Sequence, residues 1–194
     1  MNPLTQADLL SHADYEAQRA TFRREIIALK KRRRIEVGPL VTLIFENRRT
    51  LLFQVQEMVR AERIFEPTKI QDELDVYNAL LPEPGELSAT VMIEITTQER
   101  IKEILDSFQH FDRPDTLALT VGDQAVFADF EAGHSKEDKI SAVHFVRFTV
   151  PLAFVNALAE DGSHAGIRIT HEHYKAEANV PPAMREEWLK DLHA

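Results

Sequence analysis

Hydrophobic residues recur along this chain with two different periods, and the change of period divides it. Up to residue 81 they return every three or four positions, the spacing of amphipathic helices. Asp14 caps a first helix reaching about Lys31, with Phe22, Ile26 and Leu29 on one face. Gly38-Pro39 breaks the pattern, and Val41–Phe45 is a short apolar strand. Arg49–Phe65 forms a second helix, whose stripe is Leu51, Leu52, Val55, Met58, Val59 and Phe65. Pro67 ends it. Thr68 with Gln71 opens a third helix bearing Ile70, Leu74, Tyr77 and Leu81.

Residues 81–88 (LPEPGELS) are a loop, and beyond them the apolar positions alternate. Ala89, Val91, Ile93 and Ile95 mark a strand, and a helix carrying Ile101, Ile104, Leu105 and Phe108 follows. Leu117, Leu119 and Val121 mark the next strand, Gly122-Asp123 a hairpin turn, and residues 126–130 its partner. A polar loop over residues 131–139 leads to a strand at 141–150, a short helix at 151–160, a strand at 167–171 and a terminal helix after Pro181-Pro182. Two stretches, ATVMIEITTQERIKEIL…TLALTV and SAVHFVRFTVPLAFVNAL…GIRITH, both read as strand, helix, strand. The pattern predicts an α+β fold within a single domain spanning 1–194. A mostly helical part (1–81) packs on a mixed or antiparallel sheet (88–194) with ferredoxin-like βαβ units.

Composition narrows the chemistry. There is no cysteine, which excludes a disulfide framework, a thiolate nucleophile and an iron–sulfur cluster of the chain's own. No apolar run nears the ~18 residues of a membrane span, and the first residues lack signal-peptide order, so the expected location is cytoplasmic. The net charge of −9 argues against nucleic acid. The exception is the basic run Lys30–Arg34, which could contact phosphates or complement the end of its helix.

Four residues sit where a core side chain is expected. Glu62 falls inside the stripe of the second helix. A carboxylate there must be paired, with an arginine such as Arg147 or Arg23, or must bind a metal or substrate. His144 shares strand parity with Val146 and Phe148, and His171 and His173 share it with Ile167 and Ile169. Two histidines two apart on a strand can present nitrogens on one face to a first-row metal. Together the four would make a His/Glu set for non-haem iron, manganese or zinc, although a core histidine more often bonds a backbone carbonyl. The opposite face of the second helix carries Gln56, Arg60 and Arg63, suited to an anionic ligand or a partner protein, or to solvent. His134 and Ser135 lie side by side in the polar loop, but adjacency does not orient a base.

The blocks GPLVTLIFENRRTLLFQVQEMVRAERIF and SAVHFVRF resemble a bacterial family of domains of unknown function, over nearly the whole length. Its members are often encoded beside rubrerythrin-like proteins and a cysteine-rich iron–sulfur oxidoreductase. The resemblance implies a place in peroxide or redox metabolism and assigns no catalytic residue. Three readings follow. In the first, the protein is an accessory to a redox partner, with the helical half free to form a homodimer. In the second, it is a metal-dependent enzyme. In the third, it binds phosphate or nucleic acid through residues 30–34.

Overall fold

The computed structural model describes residues 1–131, 140–160 and 162–193. Among these residues, nine strands form two antiparallel sheets. Sheet A takes the order β1 (Arg34–Val37), β2 (Val41–Glu46), β3 (Glu86–Ile93), β7 (Val143–Thr149), β6 (Asp129–Phe130). Sheet B takes the order β5 (Gln124–Phe127), β4 (Leu117–Val121), β8 (Ala165–Thr170), β9 (Lys175–Asn179). The inward residues of both sheets share one core, including Leu43, Phe45, Val91, Leu119, Phe148 and Ile167. The sheets also approach one another where β1 lies beside β9 and β5 beside β7.

Among the described residues, six α-helices flank the sandwich: α1 (His12–Arg33), α2 (Arg48–Ala61), α3 (Pro67–Asn78), α4 (Ile101–Ser107), α5 (Leu152–Ala159) and α6 (Pro182–Leu192). Residues of α2 and α3 build a second, smaller core with Leu4, Leu80 and Leu81. Trp188 of α6 plugs the sandwich against Phe45, with ring centroids 4.7 Å apart. Phe108 and Phe111, after α4, enter the same core near the β8–β9 turn.

The α+β class, the helical N-terminal part and the antiparallel pairing agree with the sequence. The two strand–helix–strand units are present as β3–α4–β4 and β7–α5–β8. Each unit, however, carries the chain from sheet A to sheet B, where a ferredoxin-like unit would keep both strands in one sheet. The echo is therefore structural: β3 pairs with β7 and β4 with β8. The hairpin at Gly122-Asp123 stands where the turn signal puts it. Strands β1 and β9 carry too little signal to be read. β1 follows α1 without a break, and β9 offers only Ala176 and Ala178 inward. His134 and Ser135 lie outside the described residues.

Gly38 shows how the β1–β2 turn is held. Its φ of +70° favours glycine, and a Cβ there would meet the Tyr174 hydroxyl and stand 2.9 Å from the Ala176 Cβ. That hydroxyl donates to the Val37 carbonyl at 2.6 Å and accepts from the Leu40 N–H at 3.1 Å. The turn is thereby pinned to sheet B.

Candidate functional site

His144 and His171 point inward, as strand parity requires, and both are buried. They flank Phe111, with ring centroids 5.9 and 6.0 Å from it, inside an aromatic group that includes Phe108 and Phe130. Both nitrogens of His171 are engaged. Nε2 lies 2.8 Å from the Gln109 carbonyl, and the His173 N–H donates to Nδ1 at 3.3 Å. The pairing puts the ring proton on Nε2. β8 ends at Thr170, so His173 sits in the turn and is exposed, with its ring 6.0 Å from that of His171. Parity fails there because a turn, unlike a strand, does not alternate.

Glu62 is elsewhere and is exposed, which corrects its expected place in the core. α2 stops at Ala61, one residue before Glu62 would join the stripe. The Ile64 N–H donates to the Val59 carbonyl at 2.9 Å, while Arg63 takes a left-handed φ of 52°. This is the chain reversal that usually recruits glycine after a helix. With arginine in that place, the sequence gives no stop signal. Glu62 ends up near the first turn of α1, where His12 Nε2 lies 3.1 Å from the Ile64 carbonyl, and outside the histidine cluster. Among the described residues, no group of three His, Cys, Asp or Glu is placed to hold a metal ion.

Of the basic run, only Arg33 is turned inward; Lys31, Arg32 and Arg34 are exposed and Lys30 is half-buried. Arg33 is fully buried and donates to the Phe45 carbonyl at 2.8 Å, to the Glu46 carbonyl and to Asp191, and pairs with Glu187 at 3.0 Å. Arg32 pairs with Glu187 and Arg34 with Glu94. Burial pushes the Asp191 carboxyl above its ordinary value against the pull of Arg33. Burial also opposes ionisation of Glu187, but hydrogen bonds from Lys190, Arg33 and Arg32 hold it below the ordinary range. Arg32 and Arg33 therefore clamp α6 to the end of α1, while Arg34 ties the start of β1 to Glu94.

The helical end is built differently. Asn47 caps α2, accepting from the Arg49 and Thr50 N–H groups, and orients the helix against α1. A cleft of about 430 Å³ opens between them, floored by Leu10, Phe22 and Leu52 and rimmed by Asp8, Gln18 and Glu25. Asp8 is paired with Arg48 and Glu25 with Arg49, so the rim carries no uncompensated charge. Gln56 reaches the cleft but is buried, and its amide is used by one residue. It accepts from the Leu10 N–H at 2.9 Å and donates to the Leu10 carbonyl at 3.2 Å. Past the end of α2, Phe65 is 67% exposed and stacks on His12 of α1 at 4.3 Å. Arg63 is exposed as well.

Sequence alone misses the network at Glu57, which binds α1 to α2. Arg19 donates to both its oxygens, at 2.7 and 2.8 Å, and the Tyr15 hydroxyl donates at 2.6 Å. Arg60 stands 3.6 Å from Glu57 and 3.4 Å from Glu16. Hydrogen bonds from Arg19 hold the Glu57 carboxyl down to about 2, and burial raises the Tyr15 phenol well above its usual range. The available signal was the spacing of Tyr15, Arg19 and Phe22 along one face of α1.

Comparison with known proteins agrees with this architecture. Among curated proteins no relative matches the chain. A crystal structure of a novel protein of unknown function from Burkholderia pseudomallei K96243 is 32% identical and superposes with a TM-score of 0.89, covering 98% of this chain and 100% of the other. Residues 3–192 match the model of a family described as proteins of unknown function, DUF3501. With a match over nearly every residue and a relative of the same fold and length, the chain belongs to the DUF3501 family.

Proposed function

We propose that the protein acts as a binding accessory, contacting a partner protein through its helical end. One observation carries this reading: the open cleft between α1 and α2, with an apolar floor of Leu10, Phe22 and Leu52 and a charge-compensated rim. Such a surface can be buried against another protein without stranding an unpaired charge. The chemistry-bearing groups around it are already engaged, Gln56 by Leu10 and Glu57 by Tyr15 and Arg19. That suits recognition better than turnover.

The partner in this reading is the redox protein that the family resemblance implies, either rubrerythrin-like or a cysteine-rich iron–sulfur oxidoreductase. The chain has no cysteine, so a cluster in the assembly would be ligated by that partner. The test mixes the purified protein with each partner class and measures complex formation by light scattering and calorimetry. Leu10→Ser and Phe65→Ser serve as surface variants, since both side chains are exposed. The expected result is a defined complex with one class, weakened by both variants at unchanged melting temperature. No complex with either class, or one indifferent to both substitutions, would overturn the reading.

A further inference from the structure

Helix α1 carries positive charge that the fold does not pair. Arg23, Arg24, Ile27, Lys30 and Lys31 fall at positions i, i+1, i+4, i+7 and i+8, which share one face of a helix. That face turns away from the molecule, since the buried residues of α1 are Tyr15, Ile26, Leu29 and Arg33. Lys30 is half-buried, the other three cations are exposed, and Ile27 is 48% exposed among them. Among the described residues, none of the four cations has a carboxylate partner. Other cations of the helical end do: Arg19, Arg48, Arg49, Arg60 and Lys69 are each paired. Glu25 of α1 itself turns the other way, to Arg49. The helix dipole accounts for Lys30 and Lys31, but its pull fades within the last turn. Arg23 and Arg24 stand about two and a half turns before the end of α1, so the dipole does not account for them. The band also adjoins the cleft: Arg24 Nη2 donates to Thr21 Oγ1 at 3.1 Å, and Thr21 lines the cleft.

We infer that this band is the charged half of the docking surface, and that it receives an acidic face of the partner protein. The inference rests on the accessory reading and gives the partner its chemistry. Charge complementarity selects the occupant: carboxylates on the partner supply the counter-charges that the chain leaves out. Ile27 and the cleft floor take apolar side chains set among those carboxylates. A nucleic acid fits less well. The band is only about 12 Å long at 1.5 Å per residue, carries no aromatic side chain on which a base could stack, and belongs to a chain of net charge −9.

The test uses the full chain and a short labelled peptide rich in glutamate with one central leucine. Replacing Arg23, Arg24, Lys30 and Lys31 together by glutamine removes the charge and keeps comparable helix propensity. Arg23→Gln with Arg24→Gln alone serves should the quadruple variant fail to fold. The native chain is expected to bind the peptide saturably, less tightly as salt is raised, and the quadruple variant about tenfold or more weakly, the scale of several exposed ion pairs. Lys175→Glu, a reversal at an exposed cation of β9, should leave binding unchanged. No saturable binding by the native chain, equal binding by the glutamine variant, an equal loss in Lys175→Glu, or tighter binding of a thymidylate oligonucleotide of matched charge would each overturn the inference. So would salt-sensitive self-association that the glutamine variant loses, which would make a second copy the occupant. A partner complex that forms normally and ignores the glutamine substitutions would sink the band and leave the accessory reading standing. Peptide binding at α1 without a complex to either redox class would do the reverse.

Discussion

The two ends of the molecule use polar residues in opposite ways. In the sandwich, buried charges and imidazoles hold elements together: Arg33 clamps α1 to α6, and His171 bonds the backbone beside Phe108. At the helical end, amides and ion pairs line an open cleft. Charge follows the same division. Residues 1–81 contain 13 Arg and Lys against 12 Asp and Glu, whereas residues 82–194 contain 10 against 20. An acidic surface repels other acidic proteins, while a near-neutral one with an apolar floor tolerates approach. The contrast teaches that the core histidines, the residues with the most chemical promise on paper, are tied into aromatic packing, and that the proposed recognition surface is assembled from residues of ordinary appearance.

The comparison breaks most readily at Arg33. Arg33→Met leaves Glu187 and Asp191 buried around a missing cation and should cost about 3–5 kcal/mol in urea unfolding. The matching loss at the helical end, Gln56→Ala, should cost no more than about 2 kcal/mol. Equal losses would erase the distinction. Next is Gly38→Ala, expected to destabilise by about 2–4 kcal/mol through its positive φ and the crowding at Tyr174. Adding Tyr174→Phe should return part of that loss in a double-mutant cycle, since the hydroxyl is the atom in the way.

Acid sharpens the contrast from the other side. The Glu57 carboxyl is held at about 2 in the folded chain, below its ordinary 4.5. A lowered folded value means the stabilisation is complete above pH 4.5 and is lost as pH falls toward 2. Asp8, held at about 2 chiefly by Arg48, adds to the same limb. Glu57→Gln should therefore cost about 1 kcal/mol at neutral pH and flatten the fall in stability between pH 4.5 and 2. The smallest effect is at Arg63. Its left-handed φ makes Arg63→Gly stabilising by about 0.5–1 kcal/mol, read as a higher melting temperature.

That last position also explains where the sequence stops being legible. Repeating elements are readable: the Leu117–Val121 strand with its Gly122-Asp123 turn, and the inward parity of His144 and His171. What depends on a distant partner is not. Glu62 falls out of the core because an arginine ends the helix where a glycine would have announced the end. Gln56 sits on the polar side of its helix by periodicity, yet it is buried because residues 2–10 fold over it. Arg33 looks like one cation in a row, and its carboxylates lie more than 150 residues away, on a helix whose own stripe does not mark them.

That separation has a consequence for how the chain is made. Loop-closure entropy delays contacts between residues so far apart, and a protein rich in them folds slowly. While a ribosome is still producing the C-terminal helix, Arg33 has no carboxylate and the Phe45 end of the sandwich has no Trp188 to close it. Strand pairing between β3 and β7, and between β4 and β8, already draws on residues made well apart in time. A late, whole-chain step to the native state is therefore the expectation, and the unfinished polypeptide, with an apolar opening at one end, is the species that chaperones would be expected to meet.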